Sequence, residues 1–245
     1  MKTALYGRIV FGLSAIVLGV VGLIWHDSVA WQLANLFSPL ISTPIAWCFA
    51  IAQIAFGIGL MISQTERVSS IVLGVVYTLF TFSSVPGMIA KPLDPGAYVN
   101  FFEQLSLVCG ALAVYTFTEP NETRATAQGR VARLVLGICT LSFAWAQVVY
   151  LQYTASLVPT WIPPNQVFWT WLTTVAFALA GVAILINVRA RFAMRLMALM
   201  MALFGILVWV PHIVAQPQLL SNYDEISSNY LMTAAAWLVA EVRSF

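Results

Sequence analysis

Long, unbroken apolar runs constrain this chain more than any other feature. A helix needs about 20 consecutive apolar residues to cross the hydrocarbon of a bilayer, and irregular backbone cannot face lipid because its N–H and C=O groups would lack hydrogen bonds. Runs of this kind occupy residues 5–25, 43–63, 68–88, 98–117, 133–150, 166–187, 192–212 and 228–242, the last being the shortest. All eleven prolines fall at or near the gaps, where helices start and stop. Composition agrees: 61% of residues are hydrophobic and 8% charged, against about 25% charged in a water-facing domain. The lipid bilayer is therefore the expected partner. A net charge of +2 leaves no basic surface for nucleic acid.

The charges give an independent test, because Lys and Arg are retained in cytoplasmic loops. With eight spans, Lys2, Arg8, Arg67, Arg124, Arg130, Arg133, Arg189, Arg191, Arg195 and Arg243 fall on one side, and only Lys91 falls on the other. A wrong helix count would scramble that division. The reading is an inner-membrane protein with both termini cytoplasmic and an outer face carrying Asp27, Asp94, Asp224 and Glu225. The rival reading of the first run is a secretory signal ending at Ser28, Val29 and Ala30. An internal match favours the retained helix.

That match recurs at a spacing of about 125 residues, as duplicated units do. RIVFG at 8–12 echoes RLVLG at 133–137. Trp47, Gly59 and Arg67 answer Trp169, Gly181 and Arg189. Val85 with Pro86 answers Val210 with Pro211, Lys91 with Pro92 answers Gln216 with Pro217, and Asn100 resembles Asn229. The expected fold class is thus all-α integral membrane, with eight transmembrane helices as two parallel four-helix bundle repeats at 1–118 and 133–245 and a cytoplasmic linker at 119–132. Four spans per unit is an even number, so the copies would be related by an axis along the membrane normal.

The stretch VPTWIPPNQVFW at 158–169, a small-residue helix through Gly181, the Arg189 and Arg191 loop and an apolar helix closing on Val210, Pro211 and His212 together resemble the DoxX-like family. The likeness is best over 133–212. Residues 8–115 follow the same plan but lack the Trp-Ile-Pro-Pro element and have Gly87 where His212 sits. Members are small four-helix membrane proteins, named after a subunit of a thiosulfate:quinone oxidoreductase. The resemblance implies a quinone-associated subunit or accessory of a redox or oxidative-stress system, with a quinone as the cofactor it would allow and a redox protein or a second copy of the chain as partner.

An ionisable side chain inside a span costs about 2.5 to 3.5 kcal/mol on insertion scales, so it needs a partner, a water-filled cavity or a task. Glu103 is the clear case, about 8 Å below the outer end of its helix at 1.5 Å per residue. Asn100, Glu103 and Gln104 share one helical face with Leu107, a face expected to point into the bundle around an outward-opening polar cavity. Lys91, in the preceding loop, is the one cation within reach, and Met232 is the position answering Glu103 in the second half. A structural acid and a ligand-binding or proton-carrying carboxylate are both open readings. At the outer boundary His212 and Trp161 complete the candidate ligand-binding set, Trp161 within a belt that includes Trp25, Trp31, Trp169, Trp209, Tyr150 and Tyr153. Gln53, Gln147, Thr170, Thr173 and Thr174 read as interhelical hydrogen-bonding glue.

His26 and His212 lack HxxxH or HxxE spacing, so no metal site is expected. Cys48, Cys109 and Cys139 lie far apart in apolar runs and suggest neither a disulfide framework nor a dithiol. There is no nucleotide loop or nucleophile elbow, so no catalytic residue can be named. The alternative function, of a different class, is a non-enzymatic binding module or small carrier for an apolar or amphipathic ligand.

Overall fold

The computed structural model describes residues 2–243, together with all their side chains except those of Lys2, Thr3, Pro39 and Ala97; Met1, Ser244 and Phe245 lie outside it, and so do both chain ends. The described chain is all helical, with no strand. In order it forms α1 (Lys2–Ile24), α2 (Val29–Ala34), α3 (Pro39–Met61), α4 (Glu66–Ser83), α5 (Val85–Ala90), α6 (Pro95–Thr118), α7 (Glu122–Val149) and α8 (Leu151–Leu157). Then come α9 (Gln166–Leu185), α10 (Ala190–Phe204), a π-helical turn (Gly205–Trp209), α11 (Val210–Ala215) and α12 (Leu220–Glu241).

Seven segments are long and apolar enough to cross a membrane: Ala4–Ile24, Leu40–Met61, Glu66–Ala90, Tyr98–Thr118, Glu122–Val149, Gln166–Leu185 and Ala190–Ala215. This makes the chain a multi-pass membrane protein in character. The eighth expected span, 228–242, falls in α12, which is as long as the others at 22 residues but is not among the seven. The reason is physical. Its first two turns carry Asn222, Asp224 and Glu225, and its centre is alanine-rich, with Leu231, Ala234, Ala235, Ala236 and Leu238 at most 1% exposed. Protein rather than lipid surrounds it, so its surface need not be strongly apolar.

Local chemistry sets the ends of the helices. Asp94, Asn121 and Asn165 each cap a helix, accepting a hydrogen bond from the backbone N–H of Gly96, Arg124 and Phe168 respectively. The Asn121 cap starts α7 so early that most of the stretch read as a linker, 119–132, is its first turns. Pro86 and Pro211 each lack an N–H, and near each a long helix is interrupted. At the first, α4 gives way to α5; at the second, α10 widens into the π turn.

Each long helix packs along its neighbours in order: α1 on α3, α3 on α4, α4 on α6, α6 on α7, α7 on α9, α9 on α10, α10 on α12, and α12 back on α1. The ring is closed, and α6 also touches α12 across it. Close approach needs small residues. A Cβ added to Gly12 of α1 would stand 2.6 Å from the carbonyl oxygen of Gly57 on α3, so those two backbones can be this near only with glycine.

Ion pairs gather at one end of the bundle. Arg8 pairs with Glu66, Arg67 with Glu119, Arg195 with Glu241 and Arg243 with Glu122. Arg133, 5% exposed, donates to the carbonyl of Ile184 in the last turn of α9, one of the helix-end acceptors that has no partner within its own helix. The cysteines depart from their expected isolation: Cys109 of α6 and Cys139 of α7 are both buried, and their thiols meet at the α6–α7 contact.

Candidate functional site

At the end opposite these pairs, α6, α7, α9, α10, the π turn and α12 do not close on one another. They leave a cavity of about 750 Å³, roofed in part by α8 and the following loop. On α9 the lining runs from Trp169 to Phe177, a depth of about 12 Å at 1.5 Å per residue.

The floor is apolar, made by Phe143, Phe177, Met201, Phe204 and Met232. Phe177 packs edge-on against Phe143 at 5.8 Å and against Phe204 at 6.3 Å between ring centroids, which fixes the floor's shape. Above it lies a polar wall. The hydroxyls of Thr173 and Thr174 donate to Oε1 of Gln147 at 3.2 and 2.9 Å, tying α9 to α7 and turning the amide nitrogen of Gln147 into the group left to meet a ligand. Opposite stand Asn100 and Glu103 of α6 and Ser228 and Asn229 of α12. The mouth is aromatic, with Tyr150, Tyr153, Trp169 and Trp209, and Glu225 stands beside them.

The π turn matters to this shape. It presents Leu207, Val208 and Trp209 to the cavity, and Gly205 at its start lies against the Tyr230 ring, where an added Cβ would approach to 2.6 Å. Ahead of the apolar stretch of α12, burial and then the neighbouring charge of Glu225 raise the Asp224 carboxyl to about 7. Burial and Glu225 likewise raise the Tyr153 phenol at the mouth.

The sequence-selected residues divide. Glu103 and Asn100 line the cavity. Gln104 turns into the helix packing, 6% exposed, with Oε1 lacking a hydrogen-bond partner among the described residues. Lys91 caps α5 and is exposed, outside the lining; among the described residues no ion pair joins it to Glu103. Trp161 is 71% exposed, and the lining takes its neighbours Pro159 and Ile162 instead. His212 donates from Nδ1 to the Val208 carbonyl at 2.7 Å, so it braces the π turn from behind. Trp31, placed in the belt by its type, is 7% exposed; its indole N–H donates to the Gly22 carbonyl at 2.9 Å and His26 stacks on it at 4.1 Å.

Several lining residues escaped the sequence reading as site residues. Gln147 and Thr173 are interhelical glue, as their positions suggest, and they also line the cavity. Asn229 and Met232 could have been found, since they are the positions that answer Asn100 and Glu103 in the internal match, and all four line the same cavity. Glu225, expected in a loop, is in the second turn of α12. No family model, curated protein or solved structure matches the chain.

Proposed function

We propose that this protein is a membrane-embedded binding module that holds an amphipathic small molecule in the cavity at its outer end. The observation that carries the reading is the cavity's composition: an apolar aromatic floor, a wall of amide, hydroxyl and carboxyl groups, and a volume of about 750 Å³, within the range typical of small-molecule sites. The floor suits a ligand's apolar body, and the Gln147 amide nitrogen and the oxygens opposite suit its polar head.

The architecture we propose around it is eight crossings in two parallel repeats. Packing supports this reading: α1–α3, α3–α4 and α4–α6 have counterparts in α7–α9, α9–α10 and α10–α12, while α6–α7 answers α12–α1. A two-fold axis along the membrane normal would pass through the α6–α12 contact; Arg67 ties α4 to the end of α6 through Glu119 and Arg195 ties α10 to the end of α12 through Glu241, although the residue answering Arg67 in the repeat is Arg189. The arginine-bearing end would lie in the cytoplasm and the cavity on the outer side of an inner membrane.

A quinone-associated accessory of a redox system is the second reading. It rests on the DoxX-like resemblance of 133–212, and the aromatic floor would accept a quinone ring. Extraction of gently purified protein followed by mass spectrometry tests both. A stoichiometric amphipath supports the binding module, a quinone supports the redox reading, and a cavity holding only bulk phospholipid removes both.

A further inference from the structure

The cavity has a charge imbalance that narrows its ligand. Two carboxyl groups line it, Glu103 from α6 and Glu225 from α12, and none of the lining residues is Lys, Arg or His. The described cation on that end, Lys91, stands outside. Glu103 is half-buried and Glu225 is exposed at the mouth; a carboxyl group that gives up hydration on such a wall either keeps a proton or meets a countercharge, and no lining side chain supplies one. Asn229 supplies a second, independent observation. It is 5% exposed and lines the cavity, and its Oδ1 makes no hydrogen bond among the described residues. A buried acceptor without a donor is costly unless a ligand N–H meets it. Around the mouth, Tyr150, Tyr153, Trp169 and Trp209 offer ring faces, the surfaces that attract organic cations.

We propose that the ligand is a lipophilic organic cation, an ammonium or comparable onium group on an apolar body, with its charge held between Glu103 and Glu225 beside Asn229 and its body on the Phe143–Phe177 floor. The inference rests on the binding-module reading and deepens it. An N–H-bearing ammonium would also satisfy Asn229 once its amide turns toward the cavity, since Oδ1 is enclosed in this conformation; a quaternary cation would rely on the two carboxylates and the rings.

The test uses full-length protein in phosphatidylcholine nanodiscs, with empty nanodiscs as blank. Equilibrium dialysis compares tetraphenylphosphonium with tetraphenylborate, run separately, since the two share size and shape and differ in the sign of charge. The expected result is saturable binding of the cation near one per chain and no saturable binding of the anion. Glu103→Gln and Glu225→Gln should each weaken the cation by about tenfold or more, the scale of one charged contact. Lys91→Gln should leave it unchanged. The comparison of the two ions on unsubstituted protein needs no variant to fold. Equal binding of both ions, or unchanged cation affinity in both glutamate variants, overturns the proposal. If neither ion binds but a neutral amphipath co-purifies, the cation preference falls and the binding module stands. If nothing binds and nothing co-purifies, both fall.

Discussion

Thr174 on α9 donates its hydroxyl hydrogen to Oε1 of Gln147 on α7 at 2.9 Å. The same hydroxyl lies 2.7 Å from the Thr170 carbonyl one turn earlier, so losing the glutamine leaves the threonine with a partner. Gln147→Leu should therefore cost little stability, about 0.6 kcal/mol, as is usual for interhelical hydrogen bonds in lipid. It should reduce ligand retention far more, because a polar group of the cavity wall disappears. Detergent unfolding and co-purified ligand, measured on the same preparations, separate the two effects.

Gly12 is expected to tolerate no side chain of any size. Gly12→Leu would force α1 from α3 at the point where their backbones touch, and overpacking of this kind costs about 1–3 kcal/mol. Gly22→Ala, whose added Cβ would meet its nearest atom at 3.4 Å, should be close to neutral. Thermal unfolding in mild detergent ranks the two.

The arginines should divide by burial. Arg195 is 48% exposed and pairs with Glu241 at 2.8 Å; replacing it by Met should cost about 0–1 kcal/mol and the loss should shrink with salt. Arg133→Met leaves a buried carbonyl of α9 without its donor and should cost about 1–3 kcal/mol. Unfolding at two salt concentrations is the check.

Asp224 carries a pH signature. An acid whose folded value is raised to about 7 keeps its proton in the folded protein while the unfolded chain has already lost it. Its contribution is therefore full below about pH 4 and is lost as pH rises through 7. Stability should fall across that window, and Asp224→Asn should flatten the fall. A pH series of unfolding temperatures for both proteins decides it, and identical slopes would remove Asp224 from the account.

Topology reporters test the proposed orientation. A reporter inserted at 119–121 should be accessible only from the cytoplasm, and one inserted at 160–161 only from the outer side. Both appearing on the same side would break the packing of α7 as a crossing.

Segments bounded by charge were legible in the sequence. The run at 5–25 corresponds to α1 at Lys2–Ile24, and 166–187 to α9 at Gln166–Leu185, because lipid leaves no other role for so long an apolar stretch. Polar beginnings of helices were not. α7 and α12 start eleven and eight residues before their apolar runs, at Glu122 and Leu220 rather than at 133 and 228, since hydropathy has no signal in the polar turns that open either helix, capped by Asn121 in α7 and without a side-chain cap in α12. Glu103 and Asn100 were legible as a polar face inside a span. The wall opposite was not, because which faces of five helices converge depends on packing between distant segments. An outward-exposed and a cavity-facing aromatic also look alike in sequence, as Trp161 and Trp169 show: the first is 71% exposed and the second lines the cavity.

The enclosure of α12 bears on how such a protein comes to exist in a membrane. A helix that draws its surroundings from α1, α6 and α10 has little reason to enter bare hydrocarbon by itself. Its lodging waits on those hosts. We therefore expect the surrounding staves to stand first and this keystone to seat itself last.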